Sequence, residues 1–334
     1  MEMRRKILAG AVAATLTLSV SAPAAAAVYA GSSLEFSNLL IDFFDQDTGQ
    51  QITDLNPGYT FNVENSATLN GETQAWARSC SSIAGNCSTT SPVLGAPAAN
   101  APGSAVTRAN NNYSLFGPGT GDYANSNVEI TTAQLIDPTG PTSSRQVAES
   151  FVDGNGAAQS STNIQSNSTF TMDFTLVGQG PARLELNFDA LPQLRALVDS
   201  DGQGFAQTSV EFSFNLRRTD GGSEFLTWSP DGSGGNNAIC AGGLSCDNVL
   251  NDLDLNLTLG QGPGDGEALH NFGGPASAFR LHASGLNAGS YSLTLAGVTL
   301  TNATEVPAPG TLLLMGGGLL GLGLAGIRRR GTKW

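Results

Sequence analysis

Apolar and polar residues alternate most regularly in the second half of the chain. Apolar side chains occupy every second position at Phe170, Met172, Phe174 and Leu176, at Leu184, Leu186 and Phe188, and at Val210, Phe212, Phe214 and Leu216. A period of two puts such residues on one face of a strand and their polar neighbours on the other. Phe225–Trp228, Val249–Leu259, Phe279–His282 and Tyr291–Leu295 continue the series. Gly178-Gln179-Gly180-Pro181 reads as a hairpin turn between the first two strands, and Leu286-Asn287-Ala288-Gly289 as a turn near the end.

The first half is less regular. Leu34–Phe44 begins with alternation and becomes continuously apolar at Leu39-Leu40-Ile41. Tyr59–Val63 and Gln74–Arg78 are expected as short strands around a polar segment, Glu64–Glu72, and Asn127–Leu135 as another strand. Val147 and Phe151 stand four apart, which predicts one or two helical turns over Arg145–Val152. Residues 79–126 are rich in Ser, Asn, Ala, Pro and Gly and are expected to be loop-rich. Many short alternating strands with Gly-rich turns predict a mainly β body over residues 28–305, an antiparallel β-sandwich of jelly-roll-like type.

Two apolar runs have no strand period. Arg4-Arg5-Lys6, an apolar run from Ile7 to Val20 and an Ala-rich stretch to Ala27 follow the order of a secretory signal peptide. Residues 1–27 are therefore read as a signal helix handled by the Sec translocon and signal peptidase. Ala25-Ala26-Ala27 satisfies the small-x-small rule for cleavage before Val28; Val28-Tyr29-Ala30 is a second possibility. At the other end, residues 311–327 are uncharged, and 17 residues of helix reach roughly 25 Å. That is the short end of what spans a bilayer core of ~30 Å. Arg328, Arg329 and Arg330 close this transmembrane segment and hold the C-terminus on the cytoplasmic side. Between the two signals the body lies outside the cytoplasm.

Charge narrows the partners. The chain carries a net −13, and its two lysines, Lys6 and Lys333, both lie in the signals. The body keeps 8 basic against 27 acidic side chains, a net −19. With no basic patch to neutralise phosphates, nucleic acid is excluded as a partner. Four cysteines in an exported chain point to disulfides, and the short spacings favour Cys80 with Cys87 and Cys240 with Cys246.

Candidate chemistry is sparse. No H-E-x-x-H, G-x-S-x-G or P-loop pattern occurs, and the two histidines, His270 and His282, are expected in a Gly-rich loop and a strand. The chain is therefore read as a non-enzyme with no required cofactor. A secreted hydrolase acting on polysaccharide or protein is the competing reading. Asp199 and Asp201 stand at positions 1 and 3 of an EF-hand-like loop with Gly204 at position 6, a candidate Ca²⁺ site. Gln203 and Val210 depart from that pattern, and a solvated Asp-Gly turn is the plainer reading. Asp45-Gln46-Asp47-Thr48-Gly49 is a second, weaker cluster.

Val306, Pro307, Ala308 and Pro309, the Leu/Gly-rich run and the three arginines together resemble the PEP-CTERM sorting signal over residues 306–330, with Ala308 where the family name has Glu. The resemblance implies an exosortase substrate of a Gram-negative bacterium. It implies an inner-membrane sorting intermediate, a final place at the cell surface or in the extracellular matrix, and extracellular polysaccharide as a partner. Glu64-Asn65-Ser66-Ala67, Ala148-Glu149-Ser150, Phe188-Asp189-Ala190, Trp228-Ser229-Pro230-Asp231-Gly232 and Leu286–Leu295 also resemble the EDSAP-type subfamily, with Asn65 and Thr68 departing from its name-giving motif.

Overall fold

The computed structural model describes residues 27–55, 57–81, 85–95, 113–115, 117–118, 121–132, 142–153, 162–178, 180–200 and 203–305. The signal segment up to residue 26, Asp201, the sorting-motif residues 306–309 and 328–330, and the apolar run 311–327 lie outside them.

Seventeen strands form among the described residues. The first seven are β1 (Val28–Asp45), β2 (Gly58–Leu69), β3 (Glu72–Cys80), β4 (Gly85–Ser88), β5 (Val93–Gly95), β6 (Tyr123–Thr132) and β7 (Thr142–Val152). Next come β8 (Thr162–Leu176), β9 (Ala182–Val198), β10 (Gly204–Arg218), β11 (Phe225–Trp228) and β12 (Ile239–Ala241). The last are β13 (Ser245–Asn251), β14 (Thr258–Gln261), β15 (Gly266–His270), β16 (Ser277–Leu286) and β17 (Gly289–Glu305). They pair antiparallel into two sheets. Sheet A runs β13-β16-β9-β1-β7-β6-β4, with β15 also on β9 and β5 also on β6. Sheet B runs β12-β11-β10-β17-β8-β2-β3, with β14 also on β10. The body is an antiparallel β-sandwich.

Alternation builds the core. Leu184, Leu186 and Phe188 of β9 face Phe212, Phe214 and Leu216 of β10 from the other sheet, all nearly or fully buried. Phe188 sits at the centre: it stacks on Phe279 at 5.0 Å and meets Phe212 at 5.2 Å, Phe36 at 5.8 Å and Trp228 at 6.0 Å. Each such buried side chain contributes ~1.5–3 kcal/mol through burial alone. In β1 the inward phase changes from Leu34 and Phe36 to Leu39, Ile41 and Phe43. A β-bulge at Asn38, with φ 56°, inserts the extra residue, which is why the sequence turns continuously apolar there.

Away from this aromatic region the sheets approach until single hydroxyls reach the opposite backbone. Ser32 donates to the Leu300 carbonyl at 3.3 Å and Thr208 to that of Gly31 at 3.0 Å. Ser126 donates to Ser66 O at 3.4 Å and Ser166 to Asn127 O at 2.9 Å. Small polar residues thus occupy inward positions that carry no hydrophobic signal in the sequence.

The two disulfides form as the spacing favoured, and both join one sheet to the other. Cys80 of β3 bonds Cys87 of β4 with Cα atoms 6.0 Å apart; Cys240 of β12 bonds Cys246 of β13 at 5.8 Å. Since β3 and β12 are the two ends of sheet B, and β4 and β13 the two ends of sheet A, each lateral edge of the sandwich is stapled. Exposed edge strands otherwise invite pairing with other chains.

Several local expectations are corrected. Arg145–Val152 is strand, not helix: a spacing of four fits both periods, and β7 pairs on both sides with β1 and β6. The polar segment Glu64–Glu72 is mostly strand. There β2 continues to Leu69 and turns through Asn70-Gly71, with φ 51° and 84°, into β3. Gly178–Pro181 is no hairpin, because β8 lies in sheet B and β9 in sheet A; the segment crosses between sheets. Residues 79–126 contain β4, β5 and the start of β6, and His270 ends β15.

Candidate functional site

The outer face of sheet A carries a cross-strand row of ionisable side chains. Glu129 of β6, Arg145 of β7 and Glu35 of β1 stand in one cross-strand row. Arg145 Nε lies 3.1 Å from Glu35 Oε1, and both remain about half exposed. The Tyr113 hydroxyl donates to Glu129 Oε2 at 3.1 Å, and Asn86 Nδ2 to Glu129 Oε1 at 2.7 Å. Burial, and then the Glu129 charge, pushes the Tyr113 hydroxyl far above its usual range, so it keeps the proton it donates to Glu129. Glu35, Tyr113 and Arg145, together with Ser33, Leu191 and Gln193, line a cavity of about 400 Å³.

Two rows further, the face closes over. Glu149, Gly31 and Arg195 align across β7, β1 and β9, and the Tyr29 ring lies over Gly31. Tyr29 Oη donates to Glu149 Oε1 at 2.7 Å, and Gly117 N–H donates to the same oxygen at 2.8 Å. The Arg195 guanidinium stands 5.4 Å from the centre of the Tyr29 ring and pairs with Glu267 at 2.6 Å. A side chain at position 31 would collide with the Tyr29 hydroxyl, which explains the glycine. Ala148-Glu149-Ser150 of the sequence reading falls here.

On the outer face of sheet B, Glu64, Ser66, Ala75, Ala77, Gln165 and Asn167 line a trough of about 320 Å³. The Glu64–Ala67 stretch supplies two of its walls, whereas Asn65 points inward and accepts from Ser166 at 3.0 Å. Trp228–Gly232 is structural: Trp228 Nε1 donates to Asn237 Oδ1 at 2.8 Å, and Asp231 Oδ1 accepts from Ser233 N–H at 3.0 Å. Asp189 accepts from Asn38 at 2.5 Å and fixes the bulge.

Of the candidate Ca²⁺ ligands, Asp199 is engaged by the backbone of Ala27: its Oδ2 accepts from Ala27 N–H at 3.2 Å. Asp201 lies outside the described residues, among which no cluster of three metal-ligating side chains occurs. Asp45 Oδ1 accepts from the backbone N–H groups of Asp47 and Thr48 and from the Thr48 hydroxyl, so that cluster closes a turn. His282 stands 3.7 Å from Glu185 and 3.9 Å from Asp247 on the outer face of sheet A.

Glu35 and Glu129 lie two strands apart, ~9.6 Å by strand spacing. That is wider than the ~5–5.5 Å of a retaining glycosidase pair and close to the upper end of the ~6.5–9.5 Å of an inverting pair, but Arg145 stands between the two carboxylates. Sequence reasoning did not find the Tyr29–Glu149–Arg195 arrangement, since its members come from three distant strands. The isolated Glu149 beside Val147 and Phe151 was its one trace.

Residues 305–330 match the PEP-CTERM protein-sorting motif. No curated protein and no solved structure matches the chain. The motif marks the protein as an exosortase substrate, exported through a membrane-associated sorting intermediate. No helix long and apolar enough to cross a membrane occurs among the described residues.

Proposed function

We propose that this chain is a non-enzymatic surface or matrix protein of a Gram-negative bacterium. It enters the Sec translocon, is trimmed by signal peptidase and is sorted through its tail by exosortase. The observation that carries this reading is where the two ends of the body lie. Val28, which opens β1, packs against Gly204, and Gly204 pairs with Glu305, which closes β17. Both signals therefore leave from one pole. A body held at a membrane by either signal, or by both, presents the same opposite pole and both outer sheet faces outward.

Extracellular polysaccharide is the partner class these faces fit. The trough on sheet B offers a hydroxyl, two amides and a carboxylate without a basic group, which suits neutral sugar hydroxyls and disfavours phosphate. The test is retention of the exported body on polysaccharide from its host, together with turnover assays on polysaccharide and protein substrates. Retention weakened by Gln165→Ala and Asn167→Ala, without turnover, is expected. Turnover abolished by Glu35→Gln would replace this reading with a hydrolase.

A further inference from the structure

We propose that processing of the exported chain leaves Ala27 as the mature N-terminus, its α-ammonium seated against the Asp199 carboxylate. The inference rests on the export reading above and places the cleaved bond within it, one residue earlier than Ala25-Ala26-Ala27 suggests.

In the structure Ala27 belongs to the body. Its N–H donates to Asp199 Oδ2 at 3.2 Å, and its carbonyl accepts from Asp199 N–H at 3.1 Å. The second bond continues the ladder one residue beyond the Val28–Val198 pair. The Ala27 side chain packs against Tyr29, Tyr123 and Phe151. Val28 is fully buried and paired on both sides, with Val152 and Val198.

Three cuts can be compared. Cleavage before Val28 would create an ammonium on a residue enclosed by apolar side chains and deprive Asp199 of its donor; burying a charge is costly unless it is paired. Cleavage after Ala30 would remove Tyr29 and its bond to Glu149. Cleavage between Ala26 and Ala27 does neither, and Ala24-Ala25-Ala26 satisfies the small-x-small rule equally well. In that hydrolysis water adds its hydroxyl to the Ala26 carbonyl carbon and the C–N bond breaks. The released amine takes up a proton, so a hydrogen bond becomes an ion pair in place.

The surroundings ask for a cation. Because Val28 pairs with Val152, Asp153 follows on the other flank of Ala27. Asp122 accepts from Asp153 N–H at 3.0 Å, and Glu305 lies only 8% exposed at the same pole. Burial, and then Asp122 and Asp153, raise the Glu305 carboxyl above its usual range. Nearby are Asp265, in the turn before β15, which accepts from Gly262, and Glu267 of β15, which already holds Arg195. With no lysine between residues 27 and 305, the terminal amine is the only aliphatic ammonium the processed body has.

N-terminal sequencing and intact mass of the exported protein test the cut, and a start at Ala27 is expected. A start at Val28 or Gly31 leaves export intact and overturns this inference alone. Retention of Met1–Ala26 overturns the export reading itself. The ion pair is tested by acylating the amine across pH and reading the N-terminal peptide by mass spectrometry. Half-labelling should occur above the ~7.7–8.0 of a free α-amine, and Asp199→Asn should lower that midpoint by about half a pH unit or more. An unchanged midpoint in the variant overturns the pairing.

Discussion

Tyr29 and Glu149, 120 residues apart in sequence, meet at 2.7 Å with neither side chain exposed. Their bond ties β1 to β7 on the outer face of sheet A. A hydrogen bond to a charged group contributes ~1.5–3 kcal/mol, and a buried acceptor that loses a donor keeps its desolvation cost. Tyr29→Phe is therefore expected to lower stability by about 2 kcal/mol, read from the urea midpoint. A change below about 0.5 kcal/mol, within the range of ordinary surface substitutions, would show that the hydroxyl contributes nothing there.

The disulfides should act independently. Each closes a loop of seven or eight residues, worth about 2.5 kcal/mol in the chain-entropy model. They staple opposite edges, so their losses should add, as they do for distant sites. Cys80→Ser with Cys87→Ser, and Cys240→Ser with Cys246→Ser, are each expected to lower stability by that amount, and the fourfold variant by their sum. Chemical denaturation under non-reducing conditions measures all three. Marked non-additivity would mean that the two edges unfold as one cooperative unit.

Two glutamates should pull the pH dependence in opposite directions. The Glu224 carboxyl is lowered below its ordinary 4.5, first by the hydrogen bond from Asn287 and also by Arg218. Its contribution is present above the unfolded value and lost as pH falls through the folded one. Glu305 is raised, so its ionisation costs stability, and that cost appears as pH rises from the unfolded value through the folded one. Glu224→Gln should lower the pH 7 denaturation midpoint and weaken the loss seen on acidification. Glu305→Gln should raise the pH 7 midpoint. A destabilised Glu305→Gln protein at pH 7 would contradict the sign assigned to that burial.

What the sequence made legible follows from how each strand is covered. Where one face is apolar core and the other is solvent, as at Phe170–Leu176 and Val210–Leu216, alternation reads directly as strand. Residues 146–152 of β7 are buried on both faces, by the core and by the Tyr29 cluster, so the alternation vanishes and a spacing of four passes for helix. β2 is hidden for another reason: its inward Asn65 and Ala67 sit where the sheets approach closely and bulky apolar residues do not fit. The Asn70-Gly71 pair was nonetheless a usable hairpin signal. The crossover at Gly178–Pro181 could not be told from a hairpin, because turn residues do not encode which sheet the next strand joins. The disulfide pairs were readable because both are local.

The final prediction concerns the tail. β17 is a central strand of sheet B, paired with β10 and β8, and its last residue, Glu305, still pairs with Gly204. A protease needs an extended, unpaired segment, which β17 does not offer up to that point. Beyond it, Pro307 and Pro309 lack N–H donors and bias Val306 and Ala308 towards extended geometry. On the sorting reading proposed above, the three arginines, each costing ~2.5–3.5 kcal/mol at the centre of a membrane helix, would keep the chain from passing through while that segment is presented. Cleavage is therefore expected near Pro307–Gly310, leaving every strand of the body intact. Intact-mass measurement of the surface protein, from hosts with and without exosortase, locates the C-terminus. If Trp334 persists with the enzyme present, residues 311–327 serve as a permanent anchor; if the terminus falls before Glu305, the last strand must open before it is cut.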